Sequence, residues 1–179
     1  MQDQQTAELI KQAQAGSSRA FEDIVVRYQQ MVFWLAYRML GDRNLADNVT
    51  QDTFIRIYKS LKGFDLNRNF STWLRRITVN RTVDYLRKYK NRPIPLDQIG
   101  DIAGLSPEPE AAEEAKRIRA LVDELPERYK TVIMLRDIEG LGTKEVSEII
   151  GKPEATIRWR LHQARVILKN KYEQGMHQV

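Results

Sequence analysis

The sequence predicts an all-α protein: two small helical domains joined by an acidic, proline-containing linker, the second domain a helix-turn-helix bundle. Three observations predict it. Apolar residues recur at three- and four-residue spacing through both ends of the chain, and runs such as "DIVV" and "TVIML" lie inside those patterns rather than standing alone as strands. Charge comes in blocks: residues 17–92 hold 15 Lys and Arg against 7 Asp and Glu, and residues 116–179 hold 13 against 9, whereas residues 93–115 hold 6 acids and no base. Four of the six prolines fall in that acidic interval, which has no sustained period and reads as a linker. Two basic blocks split this way fit two polyanion-binding modules at least as well as plain solvated charge.

The first helix is expected at about residues 6–15, stopped by Gly16. A second begins after a Ser17/Ser18 cap and runs to Gly41. The third follows the Asp42 turn, from about 44 to 61, and ends at Gly63. A loop, "GFDLNRNF", leads into the fourth helix, "FSTWLRRITVNRTVDYLRKYK", with Ser71 as its expected N-cap. The fourth helix does not settle on one face. Trp73, Leu74, Ile77 and Tyr85 fill one sector, Val79, Val83 and Leu86 another, and cations fill the gaps.

Beyond the linker, helices are expected from about 109 to 125 and from 126 to about 139. Thr143 then caps a short helix with Val146, Ile149 and Ile150 turned inward; Gly151 ends it, and Pro153 suits the first turn of the next. In that last helix Ile157, Leu161, Ala164 and Leu168 form one stripe, while Glu154, Arg158, His162, Arg165 and Lys169 fall within about 80° of arc elsewhere. A short helix, a glycine turn and a basic helix with a narrow apolar stripe suit a major-groove reader. An ordinary amphipathic hairpin with a basic face is the plainer alternative.

Composition narrows the function classes. The absence of cysteine removes disulfides and thiolate metal sites and fits a reducing compartment. The longest apolar run, "MVFWLAY" at Met31–Tyr37, is too short to span a bilayer, and the polar start does not read as a signal peptide. The chain is therefore expected to be cytoplasmic, without membrane insertion. A nuclease would need clustered carboxylates or histidines, and no such cluster is evident. With only His162 and His177 present, no zinc site, cofactor or catalytic residue is expected.

Three stretches together resemble extracytoplasmic-function (ECF) type bacterial sigma factors. "LADNVTQDTFIRIYKSLKGFD" is similar to the family's polymerase-binding helix, with its A-E-D-L-V-Q-E-T-F pattern. "FSTWLRRITVNRTVDYLRK" is similar to the promoter-melting helix, W-L-x-R-I-A-x-N-x-x-x-D-x-x-R. "LPERYKTVIMLRDIEGLGTKEVSEIIGKPEATIRWRLHQAR" resembles the second domain, with its G-L-S-x-x-E-I-A turn and T-V-x-S-R-L-x-R-A-R helix. Asn48 stands where the family often has a carboxylate. Trp159 replaces a usual Ser, Ala155 a common Gly and Gln163 a common Arg.

The resemblance implies three tasks over residues 1–92 and 116–179. Binding of polymerase core, at the clamp helices of its largest subunit, falls to Asp47, Asn48, Gln51, Asp52, Phe54, Ile55 and Tyr58, with Phe54 and Tyr58 as readily core as surface. Capture of single-stranded −10 DNA falls to Lys62, Phe64, Asn67, Arg68, Asn69, Trp73, Arg76, Asn80, Asp84 and Arg87; melted DNA needs cations beside polar groups and aromatic walls. Asn80 is the favoured base-edge contact, and Trp73 reads first as core. Duplex −35 DNA falls to Lys152, Ala155, Thr156, Arg158, Trp159, Arg160, His162, Gln163, Arg165 and Lys169. An anti-sigma partner is implied as well. The rival reading from another class is a one-component helix-turn-helix regulator with an N-terminal sensing domain, which the basic N-terminal block disfavours.

Overall fold

The computed structural model describes residues 4–89 and 109–176, and all regular structure among them is helical. The chain divides into two compact units, one holding residues 1–98 and the other most of residues 99–179. The linker interval up to residue 108, and His177, lie outside the described residues.

The first unit holds α1 (Gln4–Gln14), α2 (Ser18–Leu40), α3 (Arg43–Ser60) and α4 (Phe70–Tyr89). Local chemistry sets their limits. Ser17 Oγ accepts the Ala20 N–H at 3.2 Å and starts α2. Gly41 ends it at φ 72°, a left-handed turn that glycine adopts without Cβ strain, its N–H reaching the Tyr37 carbonyl. Asp42 Oδ1 then accepts from Leu45 N–H at 2.9 Å and opens α3. A 3-10 turn, Leu61–Gly63, extends α3, and Gln14 Nε2 donates to the Leu61 and Phe64 carbonyls at 2.9 and 2.8 Å, tying α1 to that turn.

The fourth helix explains its own irregular pattern. Its buried residues are Phe70, Leu74, Thr78, Val79 and Thr82. The two threonine hydroxyls donate back to the Leu74 and Thr78 carbonyls at 2.9 and 2.8 Å, so each is buried with its hydrogen bond made. The core face thus runs 70, 74, 78, 82, and half of it is not apolar. One cluster joins Ile10, Ile24, Val32, Phe54, Ile57, Leu61, Phe64, Phe70 and Leu74; another joins Ala36, Tyr37, Leu40, Ala46 and Val49, with Tyr85 and Leu86 against it.

The cap of α4 is Asn69, not Ser71. Asn69 Oδ1 accepts the Thr72 N–H at 3.0 Å and the Ser71 hydroxyl at 2.7 Å, so Ser71 sits inside the helix and serves its cap. Asn69→Ala should therefore lower unfolding free energy by about 1 kcal/mol in urea titration, and Ser71→Ala by less than half of that.

The second unit holds α5 (Pro109–Asp123), α6 (Glu127–Ile133), α7 (Thr143–Ile150) and α8 (Glu154–Met176). Helix α5 begins at Pro109, where a helix is expected, and so takes up the last residues of the 93–115 linker interval. The helix expected to run on to residue 139 instead widens into a π-helical turn, Met134–Ile138, closed by the Glu139 N–H on the Met134 carbonyl at 2.9 Å. Gly142, in extended conformation, takes the cap position of α7, and Thr143 is its first helical residue. Gly151 ends α7 at φ 70°, and Pro153 sits one residue ahead of α8, its carbonyl accepting the Ile157 N–H at 3.1 Å. Val146, Ile149, Ile157, Leu161 and Ala164 are buried, whereas Ile150 and Leu168 are half-buried. No helix among the described residues is long and apolar enough to cross a membrane.

Candidate nucleic-acid and polymerase interfaces

Where the end of α3 meets α4, the surface opens into a cleft of about 380 Å³, lined by Arg56, Ser60, Arg68, Trp73, Arg76, Ile77, Asn80, Arg81 and Asp84. Four guanidinium groups face one carboxylate there. Arg81 Nη1 lies 3.8 Å from Asp84, while its buried Nε has no hydrogen-bond partner. Trp73 forms a wall, backed by Phe64 at 4.7 Å and Phe70 at 5.7 Å between ring centroids. It serves the core and the cleft at once.

The cleft gathers Arg68, Trp73, Arg76, Asn80 and Asp84 from the −10 set and leaves others out. Phe64 is buried in the core, edge-on to Phe70, because the 3-10 turn carries it inward; it is not a surface aromatic. Asn69 is committed to capping α4. Asn67 is held by Asp65, whose Oδ1 accepts its backbone N–H at 2.9 Å and its side-chain amide at 3.0 Å. Lys62 and Arg87 are exposed outside the lining. Arg56, Ser60, Ile77 and Arg81 were missed. Arg81 follows Ile77 by one helical turn and could have been found by that spacing. Arg56 could not, since only the packing of α3 on α4 brings it in.

On α3, Asp47, Asn48 and Gln51 are exposed, with Ile55 at 54% and Tyr58 at 61% exposure. Phe54 is 8% exposed and belongs to the core, because it falls one turn before Ile57 on the buried side. Tyr58 lies edge-on to Phe21 at 5.0 Å. Asp52 is half-buried, and its Oδ2 accepts the Tyr85 hydroxyl of α4 at 3.0 Å. Burial first, and then this hydrogen bond, hold the Tyr85 hydroxyl above its ordinary pKa of about 10, so at neutral pH it is a protonated donor. The acidic face of α3 is thereby joined to the helix that lines the cleft.

In the second unit, Ser147 locks the turn between α7 and α8. Its carbonyl accepts the Gly151 and Lys152 N–H groups at 2.8 and 3.2 Å, and its hydroxyl donates to the Lys152 carbonyl at 2.6 Å. Ser147 was not foreseen. Several cations of α8 lie near a carboxylate: Arg158 at 3.2 Å from Glu154, and Lys169 at 3.8 Å from Glu173. Arg165 donates through Nη2 and Nε to the two oxygens of Asp137 at 2.6 and 3.2 Å, a pairing that raises its pKa further. These pairs are exposed, and such pairs are worth about 0–1 kcal/mol, so phosphate can compete for the cations. Lys152, Ala155, Trp159 and His162 are exposed; Thr156, Arg160 and Gln163 are half-buried.

Comparison with known proteins agrees with this layout. Residues 24–92 match Sigma-70 region 2, and residues 115–168 match Sigma-70 region 4. The ECF RNA polymerase sigma factor SigW of Bacillus subtilis is 36% identical over 175 residues, spanning 90% of this chain and 94% of SigW. The ECF RNA polymerase sigma-E factor of Haemophilus influenzae is 33% identical over 178 residues, spanning 92% and 94%. Among solved structures, CnrH in complex with the cytosolic domain of CnrY aligns with a TM-score of 0.70 at 27% identity, over 95% of this chain and 98% of that one. The sigma factor RpoE of Bartonella quintana, in complex with the anti-sigma factor NepR, shares the fold at a TM-score of 0.63 and 18% identity, over 86% and 96%. With both regions matched in order, and with ECF sigma factors at 33–36% identity spanning at least 90% of the chain, this protein belongs to the ECF RNA polymerase sigma factor family.

Proposed function

We infer that this sigma factor, which binds RNA polymerase core and directs it to promoters, divides the work between two domains. Residues 1–92 bind core and then capture unpaired −10 bases; residues 116–179 read duplex −35 DNA; residues 93–115 connect them. The observation that carries this division is the cationic cleft. Arg56, Arg68, Arg76 and Arg81 surround Trp73 and Asn80, which is the chemistry an extruded base with its phosphates requires. The face of α3 with exposed Asp47, Asn48, Gln51, Ile55 and Tyr58 and half-buried Asp52 suits a basic protein partner rather than phosphate, and the clamp helices of polymerase are that partner.

As a sigma factor the chain initiates transcription without catalysing a reaction of its own, and it acts in the cytoplasm. An anti-sigma protein covering these faces is the expected restraint. Run-off transcription with core polymerase on a panel of promoters tests the reading. Full-length protein should add promoter-specific transcripts that core alone does not make. Specific DNA binding that is unchanged with or without core, and no transcript, would overturn it.

A further inference from the structure

Trp159 is 53% exposed although it is the largest apolar side chain on α8. At about 100° per residue it lies roughly opposite the buried stripe of Ile157, Leu161 and Ala164, at the outermost line of the helix. Ala155, one turn earlier on that line, is also exposed. The indole is not left loose. Its ring lies 6.2 Å from that of Tyr129, tilted by 56°, and Tyr129 is itself buried, with the Arg128 guanidinium 4.7 Å over its ring. A buttressed aromatic with two side-chain torsions offers a large contact surface at small entropic cost.

The outward line of a major-groove helix meets base edges, and the cations beside it meet phosphate. Lys152, Arg158 and Arg160 supply those cations here. The groove floor presents hydrogen-bonding edges and one alkyl group, the C5-methyl of thymine. A smaller polar residue at this position would meet that floor by hydrogen bonds. An indole meets it by contact with the methyl.

We propose that Trp159 selects thymine within the −35 element by covering its C5-methyl group. The proposal rests on the −35 reading of the helix-turn-helix given above. Covering one methyl is worth about three- to fivefold in affinity.

The test uses full-length protein with core polymerase and duplex promoters whose −35 window is randomised, selected by binding. In the best site, each thymine is then replaced by deoxyuridine, which lacks only the methyl. The wild type should enrich thymine at one or two positions, and deoxyuridine there should weaken binding about three- to fivefold. Trp159→Ser should lose that preference and become indifferent to the methyl, while Trp159→Phe should keep most of it. Equal binding of thymine and deoxyuridine by the wild type, or an undiminished methyl preference in Trp159→Ser, would overturn the proposal. So would Trp159→Phe falling to the Ser level, since the indole N–H would then be the reader. A window in which the wild type enriches no base would instead sink the −35 assignment, which keeps the two failures distinct.

Discussion

Replacing Arg76 with alanine should cut run-off transcription from a fully paired promoter about ten- to hundredfold, and opening the −10 region in advance should restore most of it. Arg76 lines the cleft with Arg56, Arg68 and Arg81, on the helix that also carries Trp73 and Asn80. On the proposed −10 role its contribution is made when bases leave the duplex, where stacking on an aromatic wall is worth about 1–3 kcal/mol per base and a neighbouring arginine adds cation–π and phosphate attraction. A promoter melted beforehand removes the unpairing cost that this contact offsets. Arg158→Ala should also weaken transcription, through duplex binding, and a −10 bubble should not help it. Its pair with Glu154 is exposed and too weak to keep it from DNA. Rescue of both variants by the bubble, or of neither, would refute the division of labour.

Asp52→Lys should weaken binding to polymerase core by at least about thirtyfold while leaving duplex DNA affinity equal or slightly higher. Reversing one charge of a contacting pair costs about 2–5 kcal/mol at a protein interface, and added positive charge cannot repel DNA. Because Asp52 also accepts the Tyr85 hydroxyl, Tyr85→Phe is the necessary control: it removes the α3–α4 hydrogen bond but keeps the carboxylate. That variant should lose about 1 kcal/mol of stability and almost no core affinity. Its pH signature follows from the raised folded-state pKa of Tyr85. The native state holds the proton longer than the unfolded chain, so the stabilisation is complete below pH about 10 and lost as pH rises through the folded value. Tyr85→Phe should flatten that alkaline decline. Core affinity of Asp52→Lys matching wild type in a pull-down would remove α3 from the polymerase interface.

Most helix limits were legible because they are local. Ser17, Gly41, Asp42 and Gly151 act within four residues of themselves, through a side-chain cap or a left-handed turn. The α4 pattern was misleading for an equally local reason. Thr78 and Thr82 bury their hydroxyls on backbone carbonyls, so polar residues occupy a core face that apolar spacing alone cannot trace. The π-helical turn at Met134–Ile138 was not legible: its residues are ordinary helix formers, and the widened turn is where Asp137 meets Arg165 of α8.

By itself, the sequence determined that this protein is helical, that two basic modules flank an acidic interval, that the second carries a helix-turn-helix, and that its motifs are those of an ECF sigma factor. Those properties depend on spacing, capping and charge along the chain. Only the tertiary structure decided which aromatic faces which way: Phe54 and Phe64 inward, Tyr58 and Trp159 outward, Trp73 between core and cleft. It also brought Arg56 to Arg76 and Tyr85 to Asp52. An aromatic residue gains by burial or by binding a partner's apolar surface, and residue type is the same in both cases. Which gain is available depends on the neighbouring helix, and the packing of α3 on α4 and of α6 beside α8 supplies it.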